Sequence, residues 1–228
     1  MSADPRPFVH LRVFSEHSIG YGSGNIREYL EIAQADGAPA IALTDYNTLS
    51  GSWAFARACE LEEVKAIHGC TVELLERPTS ISAESPRRMD LLKPAANRLH
   101  LLVVNEVGWR NLKQIISLAH LEAPRPGFPA VSSKILQGRT EGLYALTSHD
   151  SVALSPAALR SAPFTAVRHL LWVIEHFGAP NTWVTVHLRG NAGERETAGA
   201  LVDLATAVGV RAVASGDVRY TLNHPLVL

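Results

Sequence analysis

The chain has 228 residues, of which 46% are hydrophobic, so it can bury the core of one domain or of a closely joined pair. Its 21 Lys and Arg residues against 22 Asp and Glu residues give a formal charge of −1, which disfavours a general polyanion-binding surface but leaves a local basic patch open. Residues 1–7 contain no apolar signal segment, and no apolar run approaches about 18 residues, so neither secretion nor a membrane span is predicted.

The two cysteines, Cys59 and Cys70, make neither a disulfide framework nor a paired metal motif. Both are predicted to be small, buried, apolar side chains. This usage of cysteine is typical of a reducing compartment, so we predict a cytoplasmic protein.

Strand and helix patterns alternate from the start of the chain. Phe8–Val13 alternates like a strand, and a polar, glycine-containing loop follows it. Asn25, with Glu28 three residues later, resembles a capping box before a helix that ends at Gly37. Ala40–Leu43 is wholly apolar after a Gly-Ala-Pro break, which is typical of a short strand buried on both faces.

The same alternation continues to the last residues. Further helices are predicted over Ser50–Leu61, Glu106–Ala119, Thr165–Phe177 and Glu194–Val208, and further strands over Val64–Leu74, Leu99–Val104, Leu143–Thr147, Trp183–Leu188 and Ala212–Ser215. Residues 77–98 combine basic residues, prolines and serines, and we predict a long surface excursion there. Strands and helices thus alternate about seven times, which predicts a parallel α/β barrel or a barrel-like sheet.

Functional residues in such folds lie at the carboxyl ends of parallel strands. Asp45 follows the buried strand directly, and a buried carboxylate at that point needs a metal ion, an arginine or several N–H donors. Other polar or charged side chains stand at or near strand ends: Arg12, Thr71, His100, His149, His187, Asp217 and Arg219.

Six segments, in order, resemble the PHP domain of bacterial DNA polymerase III α subunits. Val9–Glu16 is similar to the family's HLHVHSE opening, Ala40–Asn47 to AIALTDHG, Ile67–Val72 to IIGCEV, Asn105–Ala119 to NEEGYRNLxxLxSxA, Gly142–Thr147 to GLIALS, and Val213–Tyr220 to VATNDVHY. Each motif alone is a weak signal, but the ordered set covers nearly the whole chain.

The resemblance implies a distorted (βα)7 barrel, with residues 1–228 as a single PHP domain that forms an N-terminal fragment of a larger polymerase subunit. Active members of the family hold up to three metal ions for phosphoester hydrolysis, which can serve 3′–5′ proofreading. In other members the site is dead and the domain is structural. Metal chemistry of this kind requires clustered imidazole and carboxylate ligands.

This sequence departs from the family at most of the ligand positions. The resemblance places the remnant metal site at Arg12, Phe14, Asp45, Tyr46, Thr71, His100, His149, Asp217 and Arg219. The residues that replace a family imidazole or glutamate are Arg12, Phe14, Tyr46, Thr71 and Arg219. An arginine cannot lose its proton to bind a metal ion, and it repels one at close range. We therefore expect no metal and no other cofactor; any ion would have only Asp45, His100, His149 and Asp217 as ligands.

We predict that two arginines supply the charge that metal ions supply in the family. Arg12 and Arg219 would pair with Asp45 and Asp217, because an arginine fork satisfies a buried carboxylate through two parallel hydrogen bonds. The competing interpretation of the two aspartates is metal ligation.

Three other groups of residues leave alternatives open. His100, His149 and His187 either form a residual single-ion site or are hydrogen-bonded to their surroundings. Tyr46 and Trp109 either stack on a base or belong to the core. The basic residues Arg77, Arg87, Arg88, Lys93 and Arg98 either contact DNA phosphates or lie in a solvated loop.

The resemblance implies a catalytically degenerate PHP domain that braces the polymerase domain of the same chain during DNA replication. Its partners would be that domain, a proofreading subunit, and DNA through the parent protein. The alternative is a metal-dependent phosphoesterase or 3′–5′ exonuclease that uses zinc or manganese with a reduced ligand set. A third class is a free-standing interaction module, which would expose a large apolar patch.

Overall fold

The computed structural model describes residues 8–75, 97–124 and 126–221. Two units are separable in it. The first unit comprises residues 1–71 and 215–228, and the second comprises residues 72–214.

The first unit is built on two parallel strands. β1 (Ala40–Leu43) is buried at all four positions, as its apolar sequence predicts, and it pairs in parallel with β2 (Lys65–Leu74). The predicted strand over Phe8–Val13 is present only as single parallel bridges, from His10 to Ile41 in β1 and from Val13 to Val218. An irregular segment therefore runs beside β1 and places the residues that follow it near the carboxyl end of that strand.

Two helices cover these strands. α1 (Ile26–Ala35) begins at Asn25, whose side chain accepts a hydrogen bond from the N–H of Arg27 at 2.9 Å. Glu28, predicted to complete a capping box, instead accepts a hydrogen bond from Thr221 Oγ1 at 2.6 Å. α2 (Ser52–Leu61) follows β1. The core of this unit consists of Val13, Ile26, Tyr29, Leu30, Ala33, Ala38, Ile41, Leu43, Phe55, Cys59 and Val64.

The second unit contains a mixed sheet of four strands. They are β3 (Asn97–Val103), β4 (Leu143–Thr147), β5 (Thr182–Val186) and β6 (Arg211–Ala214). β3 pairs with β4 in antiparallel fashion, whereas β4–β5 and β5–β6 are parallel. The β3–β4 pair departs from the all-parallel arrangement that the strand–helix alternation predicts, because α3 and α4 lie between these strands in sequence and together reverse the chain direction.

Helices of the second unit pack on this sheet. They are α3 (Glu106–Leu121), α4 (Ser133–Leu136), α5 (Pro156–Ser161), α6 (Pro163–Phe177) and α7 (Glu194–Ala207), with short 3₁₀ turns at Val152–Leu154 and Ala179–Asn181. α7 packs against β5 and β6. One core cluster of this unit consists of Leu154, Ala166, Leu170, Val184, Leu201, Ala205 and Val210.

A close backbone approach fixes the start of α3. A Cβ atom on Gly108 would lie 1.8 Å from the carbonyl oxygen of Gly142, so only glycine fits there. Asn105 caps the same helix turn by accepting a hydrogen bond from the N–H of Gly108 at 3.0 Å. The two glycines thereby let the helix start rest directly on the turn that leads into β4.

The fold is therefore mixed α/β, and most predicted elements are confirmed within a few residues. Residues 77–96 of the predicted surface excursion lie outside the described residues, and with them Arg77, Arg87, Arg88 and Lys93. The predicted end of the excursion is wrong, because Asn97 and Arg98 already belong to β3. Among the described residues, no helix is long and apolar enough to cross a membrane.

Both cysteines are buried free thiols, as predicted. Burial raises the pKa of the Cys59 thiol to about 11 and raises that of Cys70 further above its ordinary value. Neither thiol is therefore ionised near neutral pH, and neither is a candidate nucleophile.

Candidate functional site

Asp45 lies just beyond β1, and its carboxylate is held by serines. Ser15 donates to it from its backbone N–H at 2.7 Å and from its hydroxyl at 2.9 and 3.0 Å. The hydroxyl of Ser18 donates to Asp45 Oδ1 at 2.6 Å. Asp45 is only 1% exposed, so these neutral donors replace the water that the carboxylate loses on burial.

Asp217 lies beyond the end of β6 and is held by two arginines. Arg12 Nη2 lies 3.3 Å from Asp217 Oδ1, and Arg219 contacts the carboxylate through Nε at 3.2 and 3.3 Å and through Nη2 at 3.2 Å. The Arg12 side chain is fully buried and that of Asp217 is 5% exposed. A buried carboxylate bonded by two guanidinium groups is strongly held in place.

The arginine prediction is thus confirmed for Asp217 and wrong for Asp45. Both guanidinium groups converge on Asp217, while the hydrogen bonds to the Asp45 carboxylate come from Ser15 and Ser18. Ser15 and Ser18 precede Asp45 by 30 and 27 residues in sequence. They belong to the polar loop predicted after the first strand, but nothing in the loop's composition assigns them to this carboxylate.

Two of the three remaining remnant-site positions in the first unit, Phe14 and Tyr46, carry aromatic rings, and the third is Thr71. The Arg219 guanidinium lies 5.3 Å from the Phe14 ring centre and 5.7 Å from that of Tyr21. Tyr21 in turn stacks on Tyr46, with 3.9 Å between ring centres. Tyr46 forms a parallel bridge with Thr71, whose N–H donates to the Asp45 carbonyl at 3.1 Å. Tyr46 is therefore part of this packed cluster, and Tyr21 is a member that the motif comparison missed.

These residues do not fit the metal ions that the remnant positions would hold in the family. Arg12 and Arg219 both contact Asp217, one of the four candidate ligands, and their positive charges would repel a metal ion there. Phe14 offers no ligand atom, and Asp45 is engaged by three serine donors. Within the described ranges, no group of three or more His, Cys, Asp or Glu residues is arranged to hold a metal ion.

His100, in β3 of the second unit, is paired with a carboxylate that the sequence analysis did not include among its candidates. His100 Nε2 lies 3.4 Å from both oxygens of Asp150, and the imidazole is completely buried. Arg98, also in β3, donates from Nη1 to the Asp150 carbonyl at 3.0 Å and lies 3.7 Å from Glu73. Arg98 is therefore a structural residue of the sheet rather than part of a solvated loop.

His149 follows β4 and lies beside His187, which follows β5. Their ring centres are 4.2 Å apart, and both line a cavity of about 240 Å³ together with Arg160 and Glu194. The Glu194 carboxylate accepts hydrogen bonds from Asn191 Nδ2 at 2.7 Å and from the N–H of Asn191 at 3.2 Å. It is also bonded by the N–H of Arg189. These hydrogen bonds lower the pKa of Glu194 to about 2. The Glu194 carboxylate at the cavity is therefore ionised near neutral pH, and Asn191 and Arg189 already bond it.

A further buried histidine lies beneath β4. His169 Nε2 is 2.9 Å from Thr147 Oγ1, and burial lowers the pKa of His169 to about 4. His169 is therefore neutral at physiological pH and acts as a hydrogen-bonded core residue. It was not predicted, because a single histidine on the apolar face of a helix carries no distinguishing sequence signal.

Comparison with known families matches residues 10–186 to the model of the PHP domain. The chain is 32% identical over 217 residues to the DNA polymerase III subunit alpha of Treponema pallidum. The aligned region covers 93% of this chain and 18% of that protein. It is 29% identical over 219 residues to the DNA polymerase III subunit alpha of Escherichia coli K12, covering 96% of this chain and 18% of that protein. The chain therefore spans less than a fifth of the length of these curated relatives.

Solved structures of similar fold come from more distant proteins. A structure assigned to a metal-dependent phosphoesterase of Bifidobacterium adolescentis has a TM-score of 0.59 at 12% identity, covering 95% of this chain and 88% of that one. An amidohydrolase of Chromobacterium violaceum, solved with sulfate and no metal, has a TM-score of 0.56 at 13% identity, covering 94% of this chain and 88% of that one. At these identities the likeness shows the fold alone.

Proposed function

Because this chain belongs to the PHP domain family, we propose that it is a catalytically degenerate member serving as a structural part of a DNA polymerase III α-type subunit. In this role it braces the polymerase domain of the same chain during DNA replication in the cytoplasm, and reaches DNA through the parent protein. We also propose a proofreading subunit as a partner of the chain. The domain requires neither zinc nor manganese, and its strands close as a distorted (βα)7 barrel.

The observation that carries the proposal is the pairing of Arg12 and Arg219 with Asp217. The Arg12 side chain is fully buried, so moving it aside for a cation would break a desolvated ion pair. The carboxylate already interacts with two positive charges, and a divalent cation placed among them would be repelled. The two arginines thus stabilise, without a metal, a part of the fold that metal ions stabilise in active members.

The metal content of the purified chain tests this proposal. The chain is incubated with zinc and with manganese, desalted, and analysed by inductively coupled plasma mass spectrometry. We expect a stoichiometry near zero for the chain and for its Asp45→Ala variant. One or more ions per chain, lost in Asp45→Ala, would overturn the proposal.

The bracing role is tested in the parent subunit. Removing this domain is expected to lower the unfolding temperature of the polymerase domain, measured by scanning calorimetry. His149→Ala changes a candidate ligand at a position that is not fully buried, and it should leave both that temperature and the rate of DNA synthesis unchanged. An unaltered polymerase transition after removal of the domain would contradict the bracing role.

One observation favours a second candidate function. The His149–His187 pair lines a cavity, and imidazole is a common ligand for zinc and manganese. Under this alternative the chain is a metal-dependent phosphoesterase or 3′–5′ exonuclease that uses Asp45, His100, His149 and Asp217. Shortening of a 5′-labelled oligonucleotide that requires added zinc or manganese and disappears in His149→Ala would establish this activity in place of the structural role.

A further inference from the structure

A basic groove lies on the second unit, and its lining residues are distinct from the residues of the remnant metal site. It is formed by α3 and the turn after α4, and its volume is about 560 Å³. Its lining residues are Arg110, Lys113, Gln114, Ser117, Leu118 and Arg139. Of these six side chains only Leu118 is apolar, and the three charged ones are all positive. We call this surface the α3 groove.

Within the described part of the chain, no carboxylate forms an ion pair with the three cations of the α3 groove. Among the residues that the structure describes, Arg110 and Lys113 make no ion pair, and the one aromatic contact of Lys113 is with Trp109 at 5.7 Å. By contrast Lys134, just outside the groove, lies 3.4 Å from Glu122. The charged side chains that line the groove are therefore all positive and unpaired by carboxylates, although the whole chain carries a formal charge of −1.

Arg139 is fixed in place by neutral acceptors. Its Nε donates to Gln114 Oε1 at 3.2 Å, and its Nη1 donates to the carbonyls of Ile135 at 3.1 Å and Gln137 at 3.0 Å. These bonds orient the guanidinium without neutralising it. An arginine held in this way loses little side-chain entropy when it binds an anion.

The spacing of the groove residues suits a row of anions. Arg110, Lys113, Gln114 and Ser117 stand at positions i, i+3, i+4 and i+7 of α3 and therefore share one face of the helix. Seven residues of α-helix extend about 10 Å, which corresponds to roughly three phosphates of a nucleic acid strand at about 3.4 Å each along the axis.

We propose that the α3 groove binds the sugar–phosphate backbone of a nucleic acid strand. Arg, Lys, Ser and Gln side chains are the groups that contact phosphate and sugar in protein–nucleic acid interfaces. An acidic protein segment would need an apolar or aromatic core to its interface, and Leu118 alone does not supply one. The proposal rests on the charge and spacing of this groove and is independent of the bracing role.

The test is fluorescence anisotropy of a labelled 20-nucleotide oligothymidylate titrated with the chain at several salt concentrations. Three phosphate contacts on a single strand predict a slope of log K against log salt of about −2. Arg110→Ala and Lys113→Ala should each weaken binding about fivefold at about 0.1 M salt and reduce the slope by about 0.7. Both substitutions place alanine on an exposed helix face, where it preserves the helix.

Arg57→Ala is the matched control. Arg57 is an exposed arginine of α2 that pairs with Glu60 at 2.6 Å, so its removal changes the net charge equally but leaves the groove intact. Wild-type affinity for this variant supports the proposal. No binding at about 50 mM salt, an equal loss in Arg57→Ala, or equally effective competition by a polyglutamate peptide of the same charge would overturn it. None of these results depends on whether the domain braces a polymerase.

Discussion

Replacing Arg12 with alanine removes one partner of a buried ion pair, and we expect it to destabilise the chain. Breaking such a pair commonly costs about 3–5 kcal/mol, because the remaining charge stays buried without compensation. Here Arg219 still contacts Asp217 at 3.2 Å, so we expect a loss near the lower limit, about 3 kcal/mol. For a chain of this length about 3 kcal/mol corresponds to a fall in Tm of roughly 6–12 °C.

The measurement is Tm by scanning calorimetry together with the free energy of unfolding from urea titration. Arg57→Ala again serves as control: its side chain is 56% exposed, and its pair with Glu60 should contribute no more than about 1 kcal/mol. A fall in stability for Arg12→Ala no larger than that of the control would refute the reasoning.

A double-mutant cycle separates the ion pair from the packing of the arginine side chain. Arg12→Met retains most of the side-chain volume, and Asp217→Asn removes the charge of the partner. If the two residues interact as the 3.3 Å contact indicates, the double variant should be at least about 1 kcal/mol more stable than the sum of the single effects predicts. Additive effects would show that Arg12 stabilises the fold by packing alone.

Two further predictions concern the second unit. Gly108→Ala should destabilise the chain by about 2 kcal/mol or more, because its Cβ would lie 1.8 Å from the Gly142 carbonyl oxygen. Gly199→Ala in α7 is the matched control: its Cβ would meet no atom within 4 Å, so it should stabilise the chain by about 0.5–1 kcal/mol. Urea titration measures both changes. The folded-state pKa of His169 is lowered to about 4, so the unfolded chain takes up the proton first as the pH falls from about 6.5 towards 4. Stability should fall over that window, by up to about 3 kcal/mol more in the wild type than in His169→Gln. Equal pH dependence of the two proteins would contradict this assignment.

Local sequence patterns were sufficient to predict most of the secondary structure. The apolar run Ala40–Leu43 predicts β1 because a strand buried on both faces needs apolar side chains at every position. Asn25 predicts the start of α1 because its side chain satisfies a backbone N–H that the helix leaves without a partner. Phe8–Val13 shows the limit of such patterns, since it alternates like a strand but forms only isolated bridges.

The order of strands along the chain did not reveal their direction. The sequence between β3 and β4 contains a helix pattern, which favours a parallel crossover, yet this pair is antiparallel. Strand direction depends on how the intervening helices pack on the sheet, and a hydrophobic pattern read along one segment does not contain that information.

The sequence by itself determined the family, through six ordered motifs. The loss of metal ligands stays a prediction, which rests on residue types such as Arg12 and Phe14 that cannot bind a cation. Only the tertiary structure decided which groups bond the two buried carboxylates, those of Asp45 and Asp217. Arg12 contacts Asp217, which is 205 residues away in sequence, and Asp45 instead accepts hydrogen bonds from Ser15 and Ser18. The physical reason is that a buried charge is stabilised by whichever donors the fold brings within about 3 Å, and that distance is set by packing rather than by position in the chain.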